Sequence, residues 1–321
     1  MINIGIIGGA GYTAGELIRV LLHHPLANLV FIQSSSGLGK PITSVHRDLV
    51  GETNLAFSEP EFENVDIIFL CSGHGFSKEF IQKTKLPDHL KIVDLSADFR
   101  IESEENDFIY GLPEINREDI ESAEKIANPG CFATAIELAL LPLAHHKALN
   151  NEVHVNAITG STGAGQKPTE TTHFSWKNNN VAIYKPFEHQ HLAEIIQSVK
   201  QLQPDFDSPL NFIPVRGNFS RGIMATVYTE CQWDWAEVMQ NYIDFYRDHP
   251  FVTVIDEIPD VKQVVNTNKC ILFPAKYGSK IMIVSVIDNL LKGASGQAVQ
   301  NMNLMFGIEE TEGLRLKSIA F

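Results

Sequence analysis

Cysteine is scarce in this sequence and never clustered. The 321 residues include four cysteines, at positions 71, 131, 231 and 270, and no two of them form a CxxC pair. Neither a disulfide framework nor a zinc site is therefore indicated, and we predict that the protein holds no metal. This usage is typical of a reducing compartment, so we expect a cytoplasmic protein.

Long apolar runs and an excess of positive charge are also lacking. No segment reaches the ~18 uncharged apolar residues of a membrane span. The N-terminus lacks the basic region, the apolar stretch and the cleavage site of a signal peptide. Lys and Arg total 25 against 39 Asp and Glu, a net charge of −14. This balance argues against nucleic-acid binding, which needs a basic patch, although a few local arginines suffice for a small anion. We therefore expect a small-molecule substrate, with neither a membrane nor a nucleic-acid partner.

Two patterns of predicted secondary structure divide the chain, whose composition (44% hydrophobic, 20% charged) is that of a globular protein. Up to about residue 130, short apolar strands alternate with helical patterns, which predicts a parallel sheet covered on both faces. From Glu152 onward the strands are longer, and several alternate apolar with polar residues. The second pattern predicts a largely antiparallel sheet with helices on one side. The sequence thus predicts an α/β protein with a second, α+β part.

A glycine-rich turn follows the first predicted strand. Gly9, Gly11 and Ala14 form a GxGxxA dinucleotide fingerprint between that strand and a predicted helix, which is the context the motif requires. Gly9 permits the tight turn, and Gly11 lets the backbone approach a pyrophosphate at the helix N-terminus. We therefore predict a Rossmann-type domain in which Gly9, Gly11, Tyr12 and Thr13 bind the cofactor.

The residues after two further strands bear on which cofactor is bound. NAD-binding domains place an acidic residue after the second strand, where it accepts hydrogen bonds from the ribose 2′-hydroxyl. Here that strand is followed by Ser34, Ser36 and Lys40 without a carboxylate, which favours NADP(H), although a polar surface loop is the alternative. After the next strand, Ser72 and Gly73 are small enough for a nicotinamide ring to approach.

One cysteine stands at the start of a long apolar run. In NPGCFATAIELALLPL (residues 128–143), Cys131 follows Pro-Gly and begins a predicted buried helix. Such a position aims free N–H groups and the helix dipole at the sulfur, which favours the nucleophilic thiolate, and the same groups can hold an oxyanion. The alternative is a small core residue, because free cysteine is among the most buried residue types.

The same stretch carries a family resemblance. IANPGCFATAIELALLP (126–142) resembles the active-site signature of N-acetyl-gamma-glutamyl-phosphate reductases, which act in arginine biosynthesis. Further blocks of similarity follow in the expected order over nearly the whole chain: GGAGYTAGEL (8–17), DLSADFR (94–100), YGLPE (110–114), EHQHLAEI (188–195), RGIMATVY (221–228) and KGASGQAVQNMN (292–303). Aspartate-semialdehyde dehydrogenases share the broader architecture, but their corresponding blocks look different.

The resemblance implies a fold and a reaction. It implies a discontinuous NADP-binding Rossmann domain, residues 1–130 and 293–321, and a catalytic, substrate-binding and dimerisation domain, residues 131–292. The implied enzyme is an NADP-dependent phosphorylating aldehyde dehydrogenase working as a reductase. It would convert N-acetyl-L-glutamyl 5-phosphate to N-acetyl-L-glutamate 5-semialdehyde and phosphate, through a thioester on Cys131. A homo-oligomer, dimer or tetramer, is also implied.

The block EHQHLAEI offers the general acid–base that this chemistry needs. His189 and His191 stand at the start of a predicted helix, where their i, i+2 spacing would turn the side chains to different helical faces. We favour His189, which is nearer the helix entry, and keep His191 as the alternative. Either residue could instead be only a helix-terminal histidine.

Anionic groups of the substrate need cationic partners. Arg100, at the end of DLSADFR, is the candidate for the acyl phosphate, because the planar guanidinium fork suits phosphate. One of Arg221 and Arg216 could bind the α-carboxylate. We favour Arg221, which matches the family's Arg-Gly-Ile pattern, whereas extra residues before it leave the role of Arg216 open. Further substrate-binding candidates are Asn128 and Tyr184, and further cofactor-binding candidates are Gly163 and Asn289.

Other functions are compatible with these residues. An N-acetyl-aminoadipyl-phosphate reductase of lysine biosynthesis would use the same chemistry, and one methylene is worth only about 1–3 kcal/mol of discrimination. An N-succinyl-glutamyl-phosphate reductase would also match the motifs. A thiol acyltransferase or hydrolase would leave the dinucleotide turn unexplained, and a nucleotide-sensing protein would leave the cysteine helix unexplained.

Overall fold

A computed structural model describes residues 1–73 and 75–319 and divides them into two compact units. The first unit consists of Met1–Pro129 and Ala294–Arg315, and the second consists of Gly130–Gly293 with the described residues from Leu316 onward. The chain therefore enters the first unit twice. The sequence analysis placed residues 293–321 in the first domain, whereas the structure groups the described residues after Arg315 with the second unit. There Ile319 donates its N–H to the carbonyl of Val265 at 3.2 Å.

The first unit is built on a parallel sheet. Its strands are β1 (Ile2–Ile7), β2 (Ala27–Gln33), β3 (Ile67–Leu70), β4 (Lys91–Asp94), β5 (Ile109–Tyr110) and β6 (Lys125–Ala127). They lie in the order β2-β1-β3-β4-β6-β5, and every pair is parallel. Strand β3 is buried at all of its residues, as expected for a sheet covered on both faces.

Helices complete the first unit. They are α1 (Tyr12–Leu22), α2 (Phe76–Lys83), α3 (Pro113–Ser122) and the last helix of the chain, α8 (Gly296–Met305). Helix α8 is buried along its whole length and contacts α1, α3 and β4. Its polar side chains bond within the unit: Asn301 donates to the carbonyl of Gly111 at 2.9 Å, and Asn303 donates to that of Glu312 at 3.0 Å. The returning segment is therefore part of this unit's core.

The second unit contains a mixed, largely antiparallel sheet. Its strands are β7 (Val153–Thr159), β8 (Ala182–Ile183), β9 (Leu210–Arg216), β10 (Ile223–Glu230), β11 (Val252–Val254), β12 (Cys270–Tyr277) and β13 (Lys280–Ile287). The order is β11-β12-β13-β10-β7-β9-β8, with parallel pairing only for β11–β12 and β7–β9 among these strands. Burial alternates along β7 and β10, as the alternating sequence predicts.

One helix is central to the second unit. The helices are α4 (Cys131–His145), α5 (Phe174–Lys177), α6 (His191–Leu202) and α7 (Trp235–Tyr246). Helix α4 contacts α6, α7 and strands β10, β12 and β13, and it is buried from Phe132 to Ala144. The helix is apolar on all sides because it packs against other elements on all sides. These contacts fix the position of its N-terminal end.

A proline interrupts the hydrogen bonding of α4, and a tyrosine replaces the missing donor. Pro142 has no N–H, so the carbonyl of Leu138, four residues earlier, loses its helical partner. The hydroxyl of Tyr246 on α7 donates to that carbonyl at 2.5 Å. Tyr242, one turn earlier on α7, donates to the carbonyl of Ala139 at 2.6 Å. The two helices are therefore joined by buried hydrogen bonds at the point where α4 needs one.

Two kinds of feature are not found in the described residues. No helix between residues 1–73 or 75–319 is both long and apolar enough to span a membrane. Within the same residues, no three His, Cys, Asp or Glu side chains group as ligands for a metal ion.

Candidate active site

The candidate nucleophile begins the central helix of the second unit. Cys131 is the first residue of α4 and follows Gly130, whose backbone is extended (φ −72°, ψ 151°) and offers no capping side chain. The first turn contains no acidic residue. Cys131 is therefore at the positive end of a helix, where free N–H groups and the dipole stabilise an anion. Its side chain is partly exposed, unlike Cys231 and Cys270, which argues against a packing role alone.

A buried carboxylate holds the turn before Cys131. Glu194, in the first turn of α6 and 2% exposed, accepts a hydrogen bond from the N–H of Gly130 at 2.8 Å through Oε2. Its other oxygen, Oε1, lies 3.8 Å from Nε2 of His191. One carboxylate thus contacts both the turn that carries the thiol and a candidate acid–base residue. Hydrogen bonds to charged groups contribute about 1.5–3 kcal/mol and are geometrically specific.

The two candidate histidines lie side by side. Their ring centroids are 4.6 Å apart with an interplanar angle of 74°, and both residues are buried. The expectation that they point to different helical faces is wrong, because His189 lies outside the helix. Gln190 is the N-cap of α6 and His191 its first residue, so helical i, i+2 geometry does not apply to this pair.

The surroundings of His189 favour its neutral form. Burial first, and then the positive charge of Lys185, lower the pKa of His189 to about 4, against a weaker opposite effect of Glu194. Its Nδ1 accepts a hydrogen bond from the N–H of His191 at 3.3 Å. The rings of Phe132, Tyr184 and Phe212 lie within 5.8 Å of its ring. His189 is therefore neutral at pH 7, and Nδ1 is the ring nitrogen without a hydrogen.

Tyr184 joins the histidines to an arginine. Its ring centroid lies 5.8 Å from that of His189, and the guanidinium carbon of Arg216 lies 4.7 Å from the Tyr184 centroid. Burial first, and then the negative charge of Cys131, raise the pKa of the Tyr184 phenol, which therefore stays protonated. This substrate-binding candidate is thus close to the thiol and to a cation whose role the sequence left open.

Arg221 and Asn289 hold two loops of the second unit. Arg221 pairs with Oδ2 of the fully buried Asp288 at 2.8 Å. Asn289 accepts from the N–H of Gly222 at 2.7 Å and donates to Oγ1 of Thr162 at 3.0 Å. Gly163 follows in a short 3-10 turn, where a Cβ would lie 3.5 Å from Oγ1 of Thr159. The side chains of Arg221 and Asn289 therefore already have protein partners.

The glycine-rich turn of the first unit fits a dinucleotide. A Cβ at Gly9 would lie 2.4 Å from the Ile32 side chain, so the turn can pack against β2 only with glycine there. A Cβ at Gly11 would meet no described atom within 4 Å, and Gly11 is the N-cap of α1, whose first turn has no acidic residue. Tyr12 and Thr13 begin that helix. The turn is therefore open to a pyrophosphate at a helix N-terminus.

A buried histidine that the sequence did not single out supports this turn. Nε2 of His46 lies 2.7 Å from the carbonyl oxygen of Gly9, and the residue is 6% exposed. The same ring packs against α1 at Gly15, where a Cβ would lie 2.6 Å from Nδ1. Position 15 must therefore be glycine for the His46 ring to pack against α1.

The residues predicted to select the cofactor follow their strands as expected from the sequence. Ser34 directly follows β2 and is buried, whereas Ser36 and Lys40 are exposed. Ser72 and Gly73 come after β3, and Ser72 packs so closely on Gly8 that a Cβ there would lie 2.5 Å from its Oγ. These residues belong to the same unit as the glycine-rich turn.

Two predicted substrate ligands are engaged inside the first unit. Arg100 is buried and donates from Nη2 to the carbonyl of Leu95 at 2.9 Å. Asn128 donates to the carbonyl of Ala294 at 3.1 Å and accepts from Asn301 at 3.1 Å. Both residues stabilise the unit that contains the glycine-rich turn, whereas Cys131 belongs to the other unit.

Comparison with known proteins identifies the family. Residues 3–123 match the NAD-binding domain of semialdehyde dehydrogenases, and residues 131–289 match their dimerisation domain. The N-acetyl-gamma-glutamyl-phosphate reductase of Parabacteroides distasonis is 61% identical over 322 residues, covering 100% of both chains. That of Christiangramia forsetii is 58% identical over 318 residues, covering 99% of both. The chain belongs to the N-acetyl-gamma-glutamyl-phosphate reductase family.

Family membership confirms the resemblance and the predicted fold class. A solved structure of aspartate semialdehyde dehydrogenase II from Vibrio cholerae matches 96% of this chain and 98% of its own, with a TM-score of 0.73 at 18% identity. A likeness at that identity concerns the fold, which combines a nucleotide-binding parallel sheet with a second α+β domain. As a member of this reductase family, the chain is an oxidoreductase that uses a nicotinamide dinucleotide.

The sequence analysis did not identify Glu194 and His46, which the fold places against Gly130 and Gly9. Glu194 reaches Gly130 across 64 positions of the chain, and His46 reaches Gly9 across 37. Glu194 did carry a local signal, because it follows His191 by three residues and therefore shares its helical face. His46 had none, since a lone histidine in a loop gives no periodicity.

Proposed function

We propose that this protein catalyses the NADPH-dependent reduction of N-acetyl-L-glutamyl 5-phosphate to N-acetyl-L-glutamate 5-semialdehyde and phosphate. The observation that carries the proposal is the partly exposed Cys131 at the start of the buried helix α4, with Glu194 linking its turn to His191. The names of the full-length relatives support the substrate. The open dinucleotide turn at Gly11 supports the cofactor.

The first step forms a thioester on Cys131. Neutral His189 accepts the thiol proton on Nδ1, its acceptor nitrogen, and gives up the 3.3 Å contact with the N–H of His191. The sulfur attacks the acyl carbon of the acyl phosphate. The N–H groups of the first turn of α4 stabilise the oxyanion. When the oxyanion collapses, the C–O bond to phosphate breaks, and the protonated histidine gives its proton to the departing phosphate. His191 is the alternative proton carrier, and its contact with Glu194 suits an orienting role.

The second step reduces the thioester. A reduced nicotinamide dinucleotide, held at the glycine-rich turn of Gly9 and Gly11, would supply the hydride for this reduction. The same N–H groups of α4 stabilise the resulting thiohemiacetal oxyanion, which collapses to the aldehyde and expels the Cys131 thiolate. A proton from solvent then restores the resting thiol. Phe132 and Phe212, which pack against His189, help to exclude water that would hydrolyse the thioester.

NADPH is the proposed cofactor, rather than NADH. Between Ser34 and Lys40 the chain offers hydroxyl groups and one cation and contains no carboxylate. Such a segment attracts a 2′-phosphate, and a charge-assisted contact with it contributes about 1.5–3 kcal/mol. Ser34→Asp should move the ratio of kcat/KM for NADPH over NADH toward NADH by at least about tenfold. Equal ratios in the wild-type enzyme and variant, measured at one ionic strength, would show that this segment does not contact the ribose.

We also infer that the enzyme works as a homo-oligomer in the cytoplasm. The match of residues 131–289 to a dimerisation domain supports self-association. Sedimentation velocity of the purified chain measures the number of subunits.

The assay that tests the function runs the reaction backward. Purified enzyme, NADP⁺, phosphate and N-acetyl-L-glutamate 5-semialdehyde should produce NADPH absorbance. The N-succinyl analogue and the aminoadipate semialdehyde, one methylene longer, test the two rival substrates, and the highest kcat/KM identifies the substrate. A thiol acyltransferase would give no absorbance change with any of them, which would refute the redox function.

A further inference from the structure

Two arginines five residues apart have different surroundings. The charge of Arg221 is compensated by buried Asp288 at 2.8 Å. Arg216, the last residue of β9, instead contacts a hydroxyl and an aromatic ring, and in the described ranges 1–73 and 75–319 it forms no ion pair with a carboxylate. The arginine without an acidic partner is the better candidate for an anionic ligand, because its charge is not already balanced.

The strand register fixes where Arg216 lies. Arg216 pairs with Ala182 in the antiparallel ladder of β8 and β9, and the N–H of Tyr184 donates to the carbonyl of Pro214 at 3.2 Å. The guanidinium therefore stacks on the Tyr184 ring, and its Nη1 donates to Oγ1 of Thr171 at 3.0 Å. That bond uses one of the five N–H donors of an arginine. The stacked fork is pre-organised for a planar anion.

A second cation faces the same space. A cavity of about 120 Å³ is lined by Arg216, Tyr184, Lys177 and Trp176, among others. Burial, and then the positive charge of Arg216, lower the pKa of Lys177, so the two cations are close enough to repel each other. An anion placed between them would relieve that repulsion.

Tyr184 stands between this cavity and the thiol site. Its ring contacts His189 at 5.8 Å between centroids and Arg216 at 4.7 Å. The acyl phosphate must react at Cys131, so the anion nearest the helix N-terminus is the phosphate. Arg216 lies across the tyrosine ring from that point and meets a different end of the substrate.

We propose that Arg216, with Lys177 beside it, binds the α-carboxylate of the substrate, a role for which the family pattern favoured Arg221. The inference rests on the proposed function, because it requires an amino-acid-derived acyl phosphate. Arg216 would then determine specificity, because it raises kcat/KM for aldehydes that carry the carboxylate and not for those that lack it.

The test removes the charge and the carboxylate separately. Arg216→Met keeps the length of the side chain without its charge, and Arg216→Lys keeps the charge without the fork. Arg247→Met, at an exposed arginine paired with Asp244, is the matched control. Each protein is assayed in the reverse direction with N-acetyl-L-glutamate 5-semialdehyde and with 4-acetamidobutanal, the same aldehyde without its carboxylate.

The expected result is a loss specific to one substrate. Arg216→Met should lower kcat/KM for the semialdehyde about 10- to 100-fold, with less than about a twofold change for 4-acetamidobutanal. Arg216→Lys should lie between, and the control should match the wild-type enzyme. Equal losses for both aldehydes, or a raised KM for phosphate instead, would overturn the carboxylate site while the wild-type activity still supports the proposed function. A wild-type enzyme inactive on the semialdehyde would refute both.

Discussion

At the scale of single residues, burial decides the protonation state of His189. Its pKa of about 4 lies below the ordinary histidine value because burial and the charge of Lys185 disfavour the imidazolium. A histidine is mostly neutral at pH values above its pKa, so His189 is neutral at pH 7. His189 therefore starts the reaction as a base, and its protonated form is a strong acid that readily gives the proton to phosphate.

The pH dependence of the rate should report this pKa. In the phosphate-releasing direction, kcat/KM should fall as the pH drops to about 4, because protonation of His189 then removes the proton acceptor. With the ordinary histidine pKa of about 6.5, this fall would begin near pH 6.5. His189→Asn should lower kcat about 10²- to 10⁴-fold, the usual contribution of a general base. His191→Asn should lower it less and leave the acid limb in place. A limb near pH 6.5 that disappears only in His191→Asn would assign the proton transfer to His191.

The sequence could predict those site residues whose chemistry is local. Cys131 stands beside its own helix start, and Gly9 and Gly11 stand in a recognisable turn, so spacing alone indicates them. It could not predict the pair Arg221–Asp288, the contact of Glu194 with Gly130 or the stacking of Arg216 on Tyr184. Each of these joins segments that are distant in the chain, and only the fold brings them together.

At the scale of secondary-structure elements, apolar patterning was sufficient for the main strands and for α4. Continuous apolar runs became the buried parallel strands, and alternating runs became β7 and β10. The two-residue strands β5 and β8 give too short a pattern to detect. Helix α7 was not predicted, although Asp234 and Glu237 form a capping box at its start, which is a sequence-level signal.

The hydrogen bond from Tyr246 to α4 should stabilise the second unit more than the bond from Tyr242. Tyr246→Phe leaves the buried carbonyl of Leu138 without a donor, because residue 142 is proline, and should cost about 1–3 kcal/mol. Tyr242→Phe should cost less, since the carbonyl of Ala139 keeps its helical partner at Leu143. Urea unfolding followed by circular dichroism measures both changes.

A double-mutant cycle isolates the role of the proline. Pro142→Ala supplies the missing N–H, so Tyr246→Phe should cost distinctly less in that background. The cost of Tyr242→Phe should be the same in both backgrounds. If the proline replacement does not change the cost of losing the Tyr246 hydroxyl, that hydroxyl does not substitute for the missing helical donor.

At the scale of the whole molecule, the two chemical tasks fall in different compact units. The glycine-rich turn is in the first unit, whose core includes Ile7, Phe31 and Ile68, and Cys131 is in the second unit. Since each unit has an apolar core of its own, a change in the thiol should not alter the fold of the cofactor-binding unit. Binding and chemistry should therefore be separable by mutation.

Cys131→Ser tests this separation. The variant should lose turnover to below about a hundredth of the wild-type rate, because removing a covalent nucleophile costs far more than that. It should still bind NADPH with a Kd within about twofold of the wild-type value, measured by nicotinamide fluorescence, and NADPH should still raise its Tm. Cys231→Ser, which removes a buried thiol elsewhere in the second unit, should leave turnover unchanged. Activity above a hundredth in Cys131→Ser would refute covalent catalysis at this residue. A lost cofactor affinity with intact circular dichroism would instead show that the thiol position and the nucleotide site depend on each other.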